Sequence, residues 1–212
     1  MKNNQKGFAK IIWAIIILVL LLVVAIFWGL RTKTPTAAGT PTPSVSSTPQ
    51  DETSGWQIYR HFNYNIEFKY PPDFAFINPQ GYFLQEPIVS LKSAVNKYPG
   101  TNYSESFFTV STDSNKDLKC LKGEDGKKLL TDKIGVNGIE FYKDKRSDAG
   151  AGNFYDSTIY RTFRDGTCYE VSLTIHTTNI GNYTPGTVKE IDPKEPMKVL
   201  EQMFLTFKFT SQ

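Results

Sequence analysis

Residues 154–177 read FYDSTIYRTFR-DG-TCYEVSLTIHT, with Asp165-Gly166 between two segments of equal length. Asp-Gly is favoured in the two-residue turns that join antiparallel strands, because both turn residues need a positive φ. The pattern therefore predicts a β-hairpin. Since a two-residue loop also fixes the register, Arg164 should face Thr167, and Arg161 should face Glu170.

Side chains alternate between the two faces of a strand, so the same register sorts the hairpin into two surfaces. Arg161 and Glu170 share one face. We interpret them as an exposed cross-strand ion pair, worth at most about 1 kcal/mol, rather than as catalytic groups. The opposite face should be apolar, because it carries Tyr160, Tyr169, Val171 and Leu173.

Other strands follow from the same alternation. Ile66, Phe68 and Tyr70 alternate with polar residues and stop at Pro71-Pro72, which predicts a strand with one buried face. Aromatic and β-branched runs predict further strands at residues 88–91, 106–111 and 139–142, the last of them after a Val136-Asn137-Gly138 turn.

The C-terminal segment predicts one helix and a final strand. Asp192 is the expected N-cap, Pro193 suits the first turn, and Glu195 stands in capping-box position. Residues 206–209 return to alternation and should close the domain. The apolar residues at helical spacing are Val199, Leu200, Met203 and Phe204. Residues 56–212 are therefore predicted to form one α+β domain, an antiparallel sheet flanked by helices.

Ahead of that domain, residues 11–30 contain no charged side chain. Twenty such residues are long enough to cross a bilayer of about 30 Å as a helix. Basic residues are more numerous before this segment than after it, so residues 1–10 should be cytoplasmic and the domain extracytoplasmic. We expect a single-pass protein of the cell membrane.

Two other interpretations of the N-terminus stay open. A basic start followed by an apolar run is also typical of a cleavable signal peptide, with residues 36–38 as its cleavage site, which would give a secreted soluble form. Lys6-Gly7-Phe8 resembles the leader junction of type IV pilins. Ile12, however, stands where that family has a glutamate.

Residues 31–55 are rich in Thr, Ser and Pro. Such a segment cannot bury enough surface to offset the entropy of ordering it, so it predicts a disordered linker. Glycosylation of this linker is left open, as it is at the acceptor patterns that begin at Asn102 and Asn182.

Charge and motifs exclude several functions. Five of the 24 basic residues and two of the 21 acidic ones precede Trp56, so the domain is formally neutral. Nucleic-acid binding is therefore disfavoured, because it needs a basic field. His61 and His176 are the only histidines, and no metal, phosphate-loop or nucleophile motif is present. We expect no cofactor and no catalysis, and we interpret His176 as a surface or edge histidine.

Cys120 and Cys168 are the only cysteines. An even number of cysteines in an oxidising compartment favours a disulfide, which would stabilise the domain by about 4 kcal/mol in the chain-entropy model. Two separate free thiols are the alternative.

Residues 64–74, YNIEFKYPPDF, resemble the opening of PsbP-like domains, in which an aromatic strand ends in Tyr-Pro. Residues 192–209 resemble the closing helix and strand of the same family. The resemblance implies an antiparallel sheet flanked by helices, as in the extrinsic photosystem protein and many uncharacterised membrane-anchored bacterial proteins. It also implies a binding or assembly module without a shared active site.

The sequence thus predicts an anchored extracytoplasmic module that binds a protein, a wall polymer or a small ligand. Tyr183, in the turn-rich segment 180–186, is the predicted partner-binding residue, because loops expose their side chains. An extracytoplasmic enzyme with an unrecognised active site is the alternative.

Overall fold

Two antiparallel sheets make up most of the part of the chain that the computed structural model describes, residues 52–78, 86–113, 118–122 and 129–210. The main sheet has the strand order β3-β4-β5-β9-β8-β7-β6, and the small sheet has the order β1-β2-β10. The strands are β1 (Gln57–His61), β2 (Ile66–Tyr70), β3 (Phe74–Ile77), β4 (Glu86–Ser93), β5 (Tyr103–Asp113), β6 (Lys133–Val136), β7 (Ile139–Gly150), β8 (Asn153–Arg164), β9 (Thr167–Thr178) and β10 (Lys208–Phe209).

The predicted hairpin is β8 and β9, at the centre of the main sheet. Arg164 pairs with Thr167 and Arg161 with Glu170, so the predicted register is confirmed. Asp165 and Gly166 have φ values of 50° and 78°, as a two-residue hairpin turn requires.

One α-helix, α1 (Lys194–Leu205), packs on the apolar face of this hairpin, which we call the inner face. Tyr160 of β8 stacks on Phe204 of the helix at a centroid distance of 3.9 Å. Leu200 and Met203 are fully buried beside them. The predicted helix and its apolar side are confirmed, although Val199 is only partly buried. Because this helix is short, it covers only part of the inner face.

The helix begins later than predicted. Pro193, not Asp192, is the N-cap residue. Asp192 still accepts a hydrogen bond from the Lys194 amide through Oδ1, at 3.0 Å. Since the proline side chain has no hydrogen-bond acceptor, the helix begins after Pro193 without a side-chain cap from that residue.

The final strand joins the small sheet rather than the main one. The predicted strand at residues 66–70 is confirmed as β2, which pairs with β10 through Glu67 and Lys208. Glu67 is buried between two cations, since Arg60 and Lys208 both contact its carboxylate. Their hydrogen bonds hold the pKa of Glu67 below its usual value.

β7 extends eight residues beyond its predicted end, to Gly150 instead of Tyr142. Its second half, KDKRSDAG, shows no apolar alternation, which is why the sequence did not indicate a strand there. β7 joins β8 through Ala151 and Gly152, with φ values of 50° and 79°. An alanine with positive φ gives no turn signal in a sequence.

On the opposite face, which we call the outer face, the predicted disulfide between Cys120 and Cys168 is confirmed. Cys168 lies on β9 opposite Phe163. The bond holds a short 3₁₀ helix, Leu118–Leu121, which contacts β8. This segment therefore covers part of the outer face.

The predicted linker is too long at its C-terminal end. Residues 52–55 form a turn, and Thr53 accepts a hydrogen bond from Lys69 Nζ at 2.9 Å. Glu52 contacts Gln202 and Lys198 of the helix. The folded domain thus begins no later than Glu52.

The predicted cytoplasmic segment, the predicted span at residues 11–30 and the rest of the linker lie outside the described residues. Within the described ranges, no helix is both long and apolar enough to cross a bilayer.

Replacing both cysteines by alanine should lower the free energy of unfolding by about 4 kcal/mol, because the disulfide limits the freedom of the unfolded chain. Urea denaturation of the oxidised wild type and of the Cys120→Ala/Cys168→Ala variant measures this difference. A loss below about 1 kcal/mol, typical of an ordinary substitution, would contradict a stabilising role.

Ala151→Gly should raise the free energy of unfolding by about 1 kcal/mol, since glycine adopts a positive φ without the steric cost that alanine carries. Asp165→Gly is the matched control at the neighbouring turn and should gain less, because Asp tolerates this conformation better than Ala does. Thermal unfolding of the two variants gives the comparison. A loss of stability in Ala151→Gly would show that the turn is unstrained.

Candidate functional site

The Arg161–Glu170 pair lies on the outer face, and the prediction that it is exposed is wrong. The Arg161 and Glu170 side chains are 5% and 1% exposed, and Arg161 Nε donates to Glu170 Oε2 at 2.7 Å. The pair is buried because β5 and β7 extend the sheet on both sides of the hairpin and the disulfide-bound segment contacts β8. β5 and the disulfide-bound segment come from distant parts of the chain, and the last eight residues of β7 show no apolar alternation, so the hairpin sequence does not indicate these neighbours.

Further charges surround this pair. Arg161 Nη1 lies 3.5 Å from Asp144 Oδ2, and the same oxygen lies 3.7 Å from Arg146 Nε. Burial raises the pKa of Glu170, and Arg161 offsets that effect only in part. The four groups form a formally balanced network in which Arg161 and Glu170 are buried, while Asp144 and Arg146 are 18% and 27% exposed.

His176 also lies on the outer face, and its interpretation as a surface or edge histidine is wrong. It is 8% exposed, on β9 between β5 and β8. Nδ1 lies 3.3 Å from Glu105 Oε1, and Nε2 lies 2.8 Å from Asn153 Oδ1. Its ring stacks on Tyr155. Both ring nitrogens are engaged, so His176 is poorly placed to bind a metal or a substrate.

Among the residues that the structure describes, no group of three or more His, Cys, Asp or Glu side chains is arranged to hold a metal ion.

The inner face is more open, because the helix leaves the far end of β7 and β8 uncovered. A groove of about 410 Å³, which we call the end groove, lies there beside the β7–β8 turn. Its lining residues are Asn102, Ser147, Asp148, Ala149, Phe154, Asp156, Thr177, Thr178, Asn179, Ile180 and Glu190.

Backbone contacts fix one wall of the end groove. After β9, the chain forms a short 3₁₀ helix, Ile180–Asn182, and the Asn179 amide donates to Gly152 O at 2.8 Å. The Asn182 side chain packs against Gly152 so closely that a Cβ there would lie 2.7 Å from its Nδ2. The β7–β8 turn and the loop after β9 are therefore held together and form one wall of the groove.

The other wall depends on Asn102, which is 5% exposed. Its Nδ2 donates to Thr178 O, and its Oδ1 accepts from the Ile191 amide, both at 2.9 Å. Because this amide is buried and bonded on both sides, Asn102 supports the groove and is not accessible for glycosylation.

Two chemical features distinguish the end groove. Phe154 and Ile180 are exposed apolar side chains, at 40% and 39%. Three carboxylates, those of Asp148, Asp156 and Glu190, line the same groove, and no basic side chain does. Such a surface can bind a group that combines an apolar part with a positive charge.

Tyr183 lies next to the end groove without lining it. Its hydroxyl is 2.7 Å from Thr178 Oγ1, a lining residue, and the side chain is 37% exposed. The role of Tyr183 in binding stays a prediction. Sequence reasoning missed Phe154, and it named the segment that begins at Ile180 without singling out Ile180. Both are apolar residues at the ends of elements, where a sequence cannot show whether a helix covers them.

Comparison with known proteins gave no match to a family model and none to a curated protein. Among solved structures, a crystal structure of a Bacteroides thetaiotaomicron protein matches 74% of this chain at 16% identity and a TM-score of 0.45. The match spans 49% of that protein, about half its length. The solution structure of cyanobacterial PsbP (CyanoP) from Synechocystis matches 84% of this chain and 98% of its own, at 11% identity and a TM-score of 0.39. Membership of the PsbP-like family stays a prediction.

The buried network has a testable pH dependence. Since burial raises the pKa of Glu170, its ionisation is less favourable in the folded than in the unfolded chain. Relative to Glu170→Gln, the wild type should lose stability as the pH rises from about 4, through the usual pKa of a glutamate and then through its raised pKa in the folded chain.

Urea denaturation of wild type and Glu170→Gln across this pH range measures the difference. Glu140→Gln, which removes an exposed carboxylate, is the control for general charge effects. A wild type that gains stability over Glu170→Gln with rising pH would mean that Arg161 lowers the pKa below its usual value.

Proposed function

We propose that this chain is a membrane-anchored extracytoplasmic binding module that holds a protein partner in the end groove and catalyses no reaction itself. The observation that carries the proposal is the groove, with Phe154 and Ile180 exposed beside three carboxylates. Apolar side chains supply contact area, and the carboxylates favour partners that carry Lys or Arg.

A protein segment fits this groove better than a wall polymer or a small ligand does. The groove lies at the ends of β7, β8 and β9, and several residues of β7 and β8 line it. A basic and apolar segment of a partner could contact Phe154 and a carboxylate at the same time. A sugar does not combine an apolar side chain with a positive charge.

Two features support the location. The Cys120–Cys168 disulfide is typical of proteins that fold in an oxidising compartment. The apolar segment at residues 11–30 supports an anchor, and the basic residues before it support a cytoplasmic N-terminus. The resemblance to PsbP-like domains agrees with an accessory module that lacks an active site.

A photo-crosslinking amino acid at position 180 of the full chain should capture a partner on intact cells, because Ile180 lies in the end groove. The matched control is position 62, since Phe62 is 85% exposed but lies on the β1–β2 turn. Mass spectrometry of the crosslinked products identifies the partner. Equal products from both positions, or none from position 180, would contradict the proposal.

Phe154→Ser and Ile180→Ser should then weaken binding of that partner by about tenfold each, with little loss of stability, because both side chains are already exposed. Phe62→Ser should change neither. Tyr183→Ala tests the predicted role of Tyr183 in the same assay. Turnover of a peptide, an ester or a wall polymer by the purified chain would instead support the enzyme alternative.

A further inference from the structure

A second groove lies next to the end groove on the inner face, one step along the same two strands. It has a volume of about 260 Å³ and lies between β7, β8 and the first turns of the helix. Lys145 and Thr158 face each other across the two strands at its base. The residues that matter in its lining are Lys143, Lys145, Thr158, Lys194, Met197 and Glu201.

We call this second groove the lysine groove, because three lysines and only one acidic residue line it. None of Lys143, Lys145 and Lys194 lies within ion-pairing distance of a carboxylate among the described residues. The Lys143 ammonium sits 5.7 Å from the centre of the Tyr160 ring. With Glu201 as the one acidic lining residue, the groove has a formal charge of about +2 at neutral pH.

Thr158 is a polar lining residue of the same groove. The residue as a whole is 6% exposed, and its hydroxyl is not sealed off from the groove. The adjacent Ser157, on the outer face, bonds Thr174 at 2.8 Å. The Thr158 hydroxyl can therefore donate a hydrogen bond to an acceptor in the groove.

We propose that the lysine groove binds a phosphate monoester. Such a group carries a charge of about −1.5 to −2 at neutral pH, which matches the charge of the lining. Its oxygens accept hydrogen bonds from the lysine ammonium groups and from Thr158, while Met197 contacts the organic part. The site is separate from the end groove and does not depend on the proposed partner.

Glycerol 3-phosphate tests the site directly, with the full-length chain purified in a nonionic detergent. Calorimetric titration at constant ionic strength should show saturable binding, and glycerol should not bind. Lys145→Gln and Thr158→Val should each weaken binding by about tenfold, since each removes a hydrogen bond to a charged group.

Lys133→Gln is the matched control and should change the affinity by less than about twofold, because Lys133 lies outside the groove and pairs with Glu140 at 2.9 Å. Thr158→Val keeps the size of the side chain, so its thermal unfolding should match that of the wild type. This comparison separates loss of binding from loss of folding.

A short-chain phosphatidate, dihexanoyl phosphatidate, distinguishes the source of the phosphate in the same titration. Tighter binding than glycerol 3-phosphate, still sensitive to Thr158→Val, identifies a lipid headgroup, and equal or weaker binding identifies a soluble ester. The proposal is overturned if neither probe binds saturably, or if Lys133→Gln weakens binding as much as Lys145→Gln does.

Discussion

The register of the β8–β9 hairpin determines which side chains meet on each face of the main sheet. A slip of one residue would exchange the faces of one strand relative to the other. Tyr160 would then leave its contact with Phe204, and Arg161 would lose Glu170. The Asp165-Gly166 turn fixes this register locally, and the Cys120–Cys168 disulfide ties the start of β9 to a distant segment. Both the helix and the buried charge network depend on this pairing.

The inner and outer faces of the main sheet differ in the side chains that they bury. The inner face is apolar where the helix and the small sheet cover it, and it carries both polar and exposed apolar side chains at the end groove, which they leave uncovered. The outer face buries charges, which is costly unless each charge has partners. Arg161, Asp144, Arg146 and Glu170 supply those partners to one another. This network supports the sheet from one side, while binding is possible on the other side.

Local sequence patterns predicted the elements whose formation depends on residues that are close together in the chain. The hairpin, β2 and the apolar side of the helix follow from turn chemistry and periodicity. The burial of Glu170 and His176 could not be predicted, because it depends on β5, which is distant in the chain, and on the part of β7 that shows no apolar alternation. The grooves were missed because the sequence does not show that the helix lies beside Thr158 and that Phe154 is left exposed.

The proposed function requires a folded domain that meets its partner outside the membrane. Protease added to spheroplasts that express the full chain tests this placement most directly. We expect cleavage ahead of Glu52 and release of a resistant fragment that keeps the Cys120–Cys168 disulfide. A chain that stays protected until the membrane is permeabilised would contradict the extracytoplasmic assignment and, with it, the proposed function.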